Sequence, residues 1–161
     1  MNSDVRHSLT FLRLIFVLGI PFFGACGAIA TKSALDDEVR RLCAIDGGVK
    51  VYESVQLPAK NFNQWGQINF YRPDQGENAL GLDYVFKKNL HYYRQDAPTL
   101  IRHHYQVIRR SDERLIGETI SYGRGGGDIP GPWHPSSFTC PDIVVAGPNA
   151  LLKAVFIQIN Y

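Results

Sequence analysis

Cysteine and methionine are scarce in this chain, and no dense run of one charge occurs: its 161 residues hold three cysteines, one methionine, and 17 basic against 15 acidic side chains. The cysteines, at 26, 43 and 140, form no C-x-x-C pair, which excludes a zinc site of the usual spacing. Setting aside Arg6, Arg13 and Asp4 near the start leaves 15 basic and 14 acidic side chains, a near-neutral remainder. Without a basic stripe, nucleic acid held through its phosphates is excluded as a partner. The nucleophile-elbow pattern G-x-S-x-G is missing, and the glycines at 125–127 lack the Lys and Ser/Thr of a P-loop and open no helix. No internal repeat or low-complexity tract is present. No catalytic residue, metal set or cofactor is therefore assigned.

One long uncharged run is present. Met1 to Arg13 is polar and weakly basic, and from Leu14 through Thr31 there is no charge, the pattern of an export signal. Phe23, Gly24, Ala25 and Cys26 resemble a bacterial lipobox, with phenylalanine where leucine is usual; a lipid on Cys26 would anchor the protein to a membrane. Ala28, Ile29 and Ala30 form an A-x-A site that would instead release a chain beginning at Thr31. Uncut, the run is just long enough to span a bilayer, although Pro21 and the glycines disfavour that helix; a buried core helix is the remaining reading. The lipoprotein is preferred, placing the protein in the periplasm, with residues 1–30 as leader and 31–161 as one domain. An exported domain with two remaining cysteines predicts a disulfide between Cys43 and Cys140, two separate buried thiols being the alternative.

Thr99 to Asp128 organises the rest. Ile101, His103, Tyr105 and Val107 alternate with Arg102, His104, Gln106 and Ile108, and the period of two returns after Ser111, Asp112 and Glu113, predicting a hairpin of two long strands. Upstream, Leu35, Val39, Leu42 and Cys43 give one apolar helical stripe, with Ser33 as the expected N-cap, Asp36, Asp37 and Glu38 in the first turn, and a stop at Asp46 to Gly48. Val49 to Val55 reads as a strand, Pro58 to Gly81 as an irregular connection with one helical turn over Ala59 to Trp65, and Tyr84 to Tyr93 as extended. The proline-rich IPGPWHPSSFTCP is read as irregular, and Asn149 as the cap of one helical turn before a closing strand. The fold class expected is α+β: one N-terminal helix packed on an antiparallel sheet of about four to six strands.

LCAIDGGVKVYE, from Leu42, and SYGRGGGDIPGPWHPSSFTCP, from Ser121, resemble an uncharacterised family of small exported (lipo)proteins of Gram-negative bacteria. The resemblance covers most of the chain after the leader. It implies export and the cysteine pair, and no activity.

Candidate binding residues fall in two loops. Arg124, with the glycines after it and Asp128, has the composition of an anion-binding backbone turn; a sharp exit from the strand is the alternative. Trp65, Tyr71, Trp133 and His134 sit in loop-like segments, where aromatic side chains suit a protein or glycan surface unless they fold back over the sheet. The function expected is a non-enzymatic envelope module that binds an envelope protein or cell-wall partner through residues 60–80 and 123–138. The alternative is a small periplasmic hydrolase or metal-dependent enzyme. It would use His103 or His104, His134 and Asp128, with His91 as a further ligand or Ser121, Ser136 or Ser137 as nucleophile.

Overall fold

The computed structural model describes the backbone of residues 22–128, 131–132 and 134–159, and side chains from residue 31 onward. The elements in order are α1 (Phe22–Asp46), β1 (Gly48–Val51), β2 (Val55–Leu57), β3 (Tyr84–Arg94), β4 (Thr99–Arg109), β5 (Leu115–Gly125), β6 (Ser137–Cys140), α2 (Ile143–Ala146), α3 (Pro148–Val155) and β7 (Phe156–Gln158). Two short 3₁₀ segments, Ala59–Asn61 and Pro73–Asn78, lie between β2 and β3.

The β4–β5 hairpin is the centre of the sheet. Its strands pair antiparallel from Thr99↔Gly125 to Ile108↔Leu115, with β3 added beyond β4. On its other side β5 carries two short antiparallel neighbours, β1 along Gly117 to Ile120 and β6 along Tyr122 to Gly125. These five strands and α1 make the α+β body that the alternation and the helical stripe predict. A second, parallel pair, β2 with β7, was not legible in the pattern.

Because side chains alternate across β5, its two faces serve two cores. Ile120 and Tyr122 meet Val39, Leu35, Leu42 and the Cys43–Cys140 disulfide beneath α1. Gly117 and Thr119 face α2 and α3. A Cβ on Gly117 would lie 2.5 Å from Val155 Cγ2, so glycine is what lets α3 close on the sheet, and the Thr119 hydroxyl bonds the Ala146 carbonyl at 2.8 Å. That side holds the larger core, in which Phe86, Val107, Ile116, Leu151, Val155 and Phe156 are buried.

Four local expectations are corrected. Ser33 is not an N-cap, since α1 begins at Phe22 and runs through it. The stretch 25–34 is rich in alanine, the best helix former, and nothing in it stops the turn. The first strand divides. β1 ends where Ile116 bulges out of β5 and its carbonyl accepts from both Tyr52 and Glu53 N–H, after which β2 leaves for β7. β6 is regular despite the surrounding prolines, because residues 136–140 contain none and every β6 residue has a register partner on β5. The last helix is eight residues long, with Gly147 as cap and Pro148 at its first position, so Asn149 is inside it. Residues 1–21, the side chains of residues 22–30 including that of Cys26, and Trp133 lie outside the described residues, so the expected leader and its cleavage are not addressed by the fold. Among those described, no helix is long and apolar enough to cross a membrane.

Candidate functional site

The connection from Pro58 to Gly81 is held by its own polar side chains. Phe62 bridges Ile68 as a miniature antiparallel pair, and between them the Asn63 Oδ1 accepts from the N–H groups of Trp65 and Gln67, both at 3.0 Å. Gly66, at φ 71°, completes that turn, and Trp65 stands at its tip, 71% exposed. The segment is then pinned at both ends. Asn69 Nδ2 donates to the Lys60 carbonyl at 2.6 Å, and the Tyr71 ring meets Phe86 edge-on at 5.5 Å.

Between this segment and α3 lies a cleft of about 360 Å³. Ile68 and Leu152, both buried, form its floor, and Tyr71 contributes an aromatic wall. Its polar lining is four amides, Asn63, Gln67, Asn69 and Asn149, and two cations, Arg72 and Lys153, with no carboxylate. Arg72 is oriented by its own backbone, donating to the Asn69 and Tyr71 carbonyls at 2.8 and 3.1 Å. Burial, then the neighbouring Tyr105, push the Tyr71 phenol up, so it stays a neutral hydroxyl at neutral pH. Amides supply paired donors and acceptors, cations supply charge, and an apolar floor supplies contact area. The combination suits a polar ligand carrying negative charge.

The other predicted loop is built differently. Arg124 is 3% exposed, and its guanidinium is spent on the Asp36 carboxylate at 2.6 Å and on the Gly126 and Ser136 carbonyls. Asp128 receives the Lys32 ammonium at 2.6 Å together with the N–H and hydroxyl of Ser136. Both residues therefore clamp the loop to α1 instead of facing solvent, and the cleft and this clamp are attached to opposite faces of the sheet. Tyr71 lines the cleft, Trp65 stands exposed at the tip of the neighbouring turn and is not among the lining residues, and Arg124 and Asp128 form a separate network. His134 is exposed and makes no hydrogen bond among the described residues. His103 and His104, adjacent on β4, point to opposite faces. Among the described residues no three His, Cys, Asp or Glu side chains gather as a metal set.

A polar cluster that sequence reasoning missed lies where α1 ends. Glu118 accepts from the Tyr52 hydroxyl at 2.6 Å and contacts His104 Nε2 at 2.7 Å. Alongside, Asp46 accepts from the Tyr122 hydroxyl at 2.6 Å and from Arg102 at 3.2 Å. Burial, reinforced by Asp46, pushes the Tyr122 phenol up to about 12. Burial opposes ionisation of Asp46 and Glu118, yet their hydrogen-bond donors win and hold both carboxyls below the usual range. The cluster contains no serine or cysteine nucleophile. It ties the helix end to the sheet. Its signal was the period of two, which puts Glu118, Ile120 and Tyr122 on the face that α1 covers.

Lys32, then the backbone and hydroxyl of Ser136, hold the Asp128 carboxyl down at about 2. A folded value below the unfolded one gives stability that is present above about pH 4 and lost as the pH falls from there toward 2, and Asp46 and Glu118 act in the same direction. The temperature of unfolding is therefore expected to decline gently below about pH 6.5, because burial and then Lys88 push the His103 pKa down, and to fall steeply below about pH 4. Asp128→Asn should shallow that acid limb, and an unchanged limb in the variant would remove Asp128 from it.

The chain matches no family model, no curated protein and no solved structure, so what it does is read from the geometry above.

Proposed function

We propose that this is an exported, non-enzymatic envelope protein whose cleft between residues 62–72 and α3 binds an anionic cell-wall glycan. The observation that carries this is the cleft's lining, four amides, two cations and a tyrosine over an apolar floor with no carboxylate. The amides match sugar hydroxyls, Arg72 and Lys153 match a carboxylate on the glycan, and Trp65 at the adjacent tip offers a flat face on which a sugar ring can stack. The setting is consistent: a disulfide joins Cys43 to Cys140, and such bonds persist in oxidising compartments such as the periplasm. The lipobox-like residues ending at Cys26 favour a lipid anchor that would hold the domain near the wall.

Co-sedimentation with purified peptidoglycan tests the reading. Wild-type protein should pellet with the wall, Arg72→Ala with Lys153→Ala should bind roughly tenfold more weakly through loss of the charge-assisted contacts, and Trp65→Ala should bind less. Protein that stays in the supernatant, or a double variant that pellets like wild type, overturns it. Recovery of an envelope protein in place of the wall would transfer the cleft to a protein partner.

A further inference from the structure

β3 is the last strand of the sheet on its side, and all its residues from Lys87 to Arg94 are exposed. The backbone geometry shows which groups are unused. Arg110 N–H donates to the Asp83 carbonyl one step before the register pair Tyr84↔Arg109. In an antiparallel ladder the hydrogen-bonded pairs recur at every second residue, so Val85, Lys87, Asn89 and His91 turn their backbone groups toward β4. Lys88, Leu90 and Tyr92 turn theirs outward. Among the described residues no strand lies beyond them. The open stretch is bounded at one end by Phe86, buried against Tyr71, and at the other by the register shift between Tyr92 and Arg94.

The side chains of this edge carry one sign. Lys87, Lys88 and Arg94 are cations, no acidic residue occurs from Tyr84 to Arg94, and among the described residues none of the three is in an ion pair. Elsewhere the fold pairs its charges, as in Arg102–Asp46, Arg124–Asp36 and Lys32–Asp128. Between the cations stand partly exposed apolar surfaces: Leu90, Tyr92 and Tyr93 are 43, 46 and 49% exposed. A second copy of the chain is a poor occupant: antiparallel pairing of β3 with itself about Leu90 would set Lys88 opposite Tyr92 and bring together two edges that carry only basic charge, with no countercharge between them. Such edge lysines are a known guard against self-association. The same charges attract a strand of opposite sign.

We propose that the free edge of β3 is a docking site for an extended, acidic segment of another protein, which adds as a further strand beside Lys88, Leu90 and Tyr92. Main-chain hydrogen bonds would hold it, as in strand addition generally. In a segment that alternates acidic and apolar residues, the acidic side chains would lie on the face of Lys87, and the apolar ones on the opposite face, along Leu90, Tyr92 and the methylene stem of Lys88. This site is independent of the cleft.

The probe is a labelled, end-capped peptide of alternating glutamate and valine, followed by fluorescence anisotropy. Its control alternates glutamate and proline, with the same charge and no capacity to pair as a strand. The glutamate–valine peptide should bind and the control should not. Lys87→Glu with Lys88→Glu should weaken binding at least about tenfold through like-charge repulsion. Leu90→Pro should abolish it, since proline there removes an outward N–H and leaves the inward ladder intact. Unchanged thermal unfolding of the lysine variant keeps the test valid if Leu90→Pro folds poorly. No binding, equal binding of the two peptides, or concentration-dependent dimers lost in Leu90→Pro would each overturn the proposal, the last by giving the edge to a second copy.

Discussion

Replacing Arg124 with leucine is expected to cost about 3 to 5 kcal/mol of folding stability, the range for breaking a buried pair from one side. The Arg124 side chain is 2% exposed and its Asp36 partner 19% exposed, so the carboxylate left behind is only partly rehydrated, while the Gly126 and Ser136 carbonyls lose their donor. Asp36→Leu should be of similar size for the opposite reason, an arginine kept in place without its countercharge. The double variant, Arg124→Leu with Asp36→Leu, should lose much less than the sum of the singles, because it leaves no unpaired charge. Urea unfolding of the four proteins at neutral pH measures the coupling. Additive losses would mean that the pair contributes nothing beyond its separate side chains.

That expectation differs from what the loop's composition suggested, and the difference shows where sequence reading stops. Arg124, three glycines and Asp128 have the composition of an anion cradle, and composition alone does not say what stands opposite. The two acidic side chains at 36 and 37 look equivalent on a helix, yet only Asp36 faces the sheet and takes Arg124, whereas Asp37 pairs with Arg40 on the exposed side. The hairpin was legible because alternation over eleven residues leaves one periodicity, and the α1 stripe was legible because Leu35, Val39, Leu42 and Cys43 all meet the sheet. β6 was not, being four residues long and owing its form to β5, and although a closing strand was expected where β7 lies, its parallel pairing with β2 had no local signal.

The candidate cleft was half legible. Trp65 and Tyr71 stood out as aromatics in a loop, but its amides and cations come from segments far apart in sequence, the connection at 63–72 and the helix at 149–153. Their meeting depends on α3 settling against Gly117, a contact with no local signature. The open edge of β3 was hidden for a related reason: a strand's sequence shows its two faces, and the order of strands decides which one is last.

Removing the disulfide is the second large effect. Cys43 and Cys140 are 97 residues apart in sequence, and closing a loop of that size restrains the unfolded chain by about 4 to 5 kcal/mol in the chain-entropy account. Cys43→Ala with Cys140→Ala, or reduction of the native bond, should therefore lower the melting temperature by roughly 10 to 20 °C. The folded structure should change little. Besides the disulfide, α1 is held by Asp36 to Arg124, Lys32 to Asp128 and Asp46 to both Tyr122 and Arg102, all of which remain. A loss that acts through the unfolded state has a signature. The denatured chain, freed of its cross-link, exposes more surface, so the urea dependence of unfolding should steepen as the midpoint falls. Amide exchange in α1 under native conditions should stay close to that of the oxidised protein. Equal midpoints for the oxidised and cysteine-free proteins would refute the stabilisation. Early exchange confined to α1 and β6 would show instead that the bond holds the helix on the sheet, with the ion pairs too weak to do so alone.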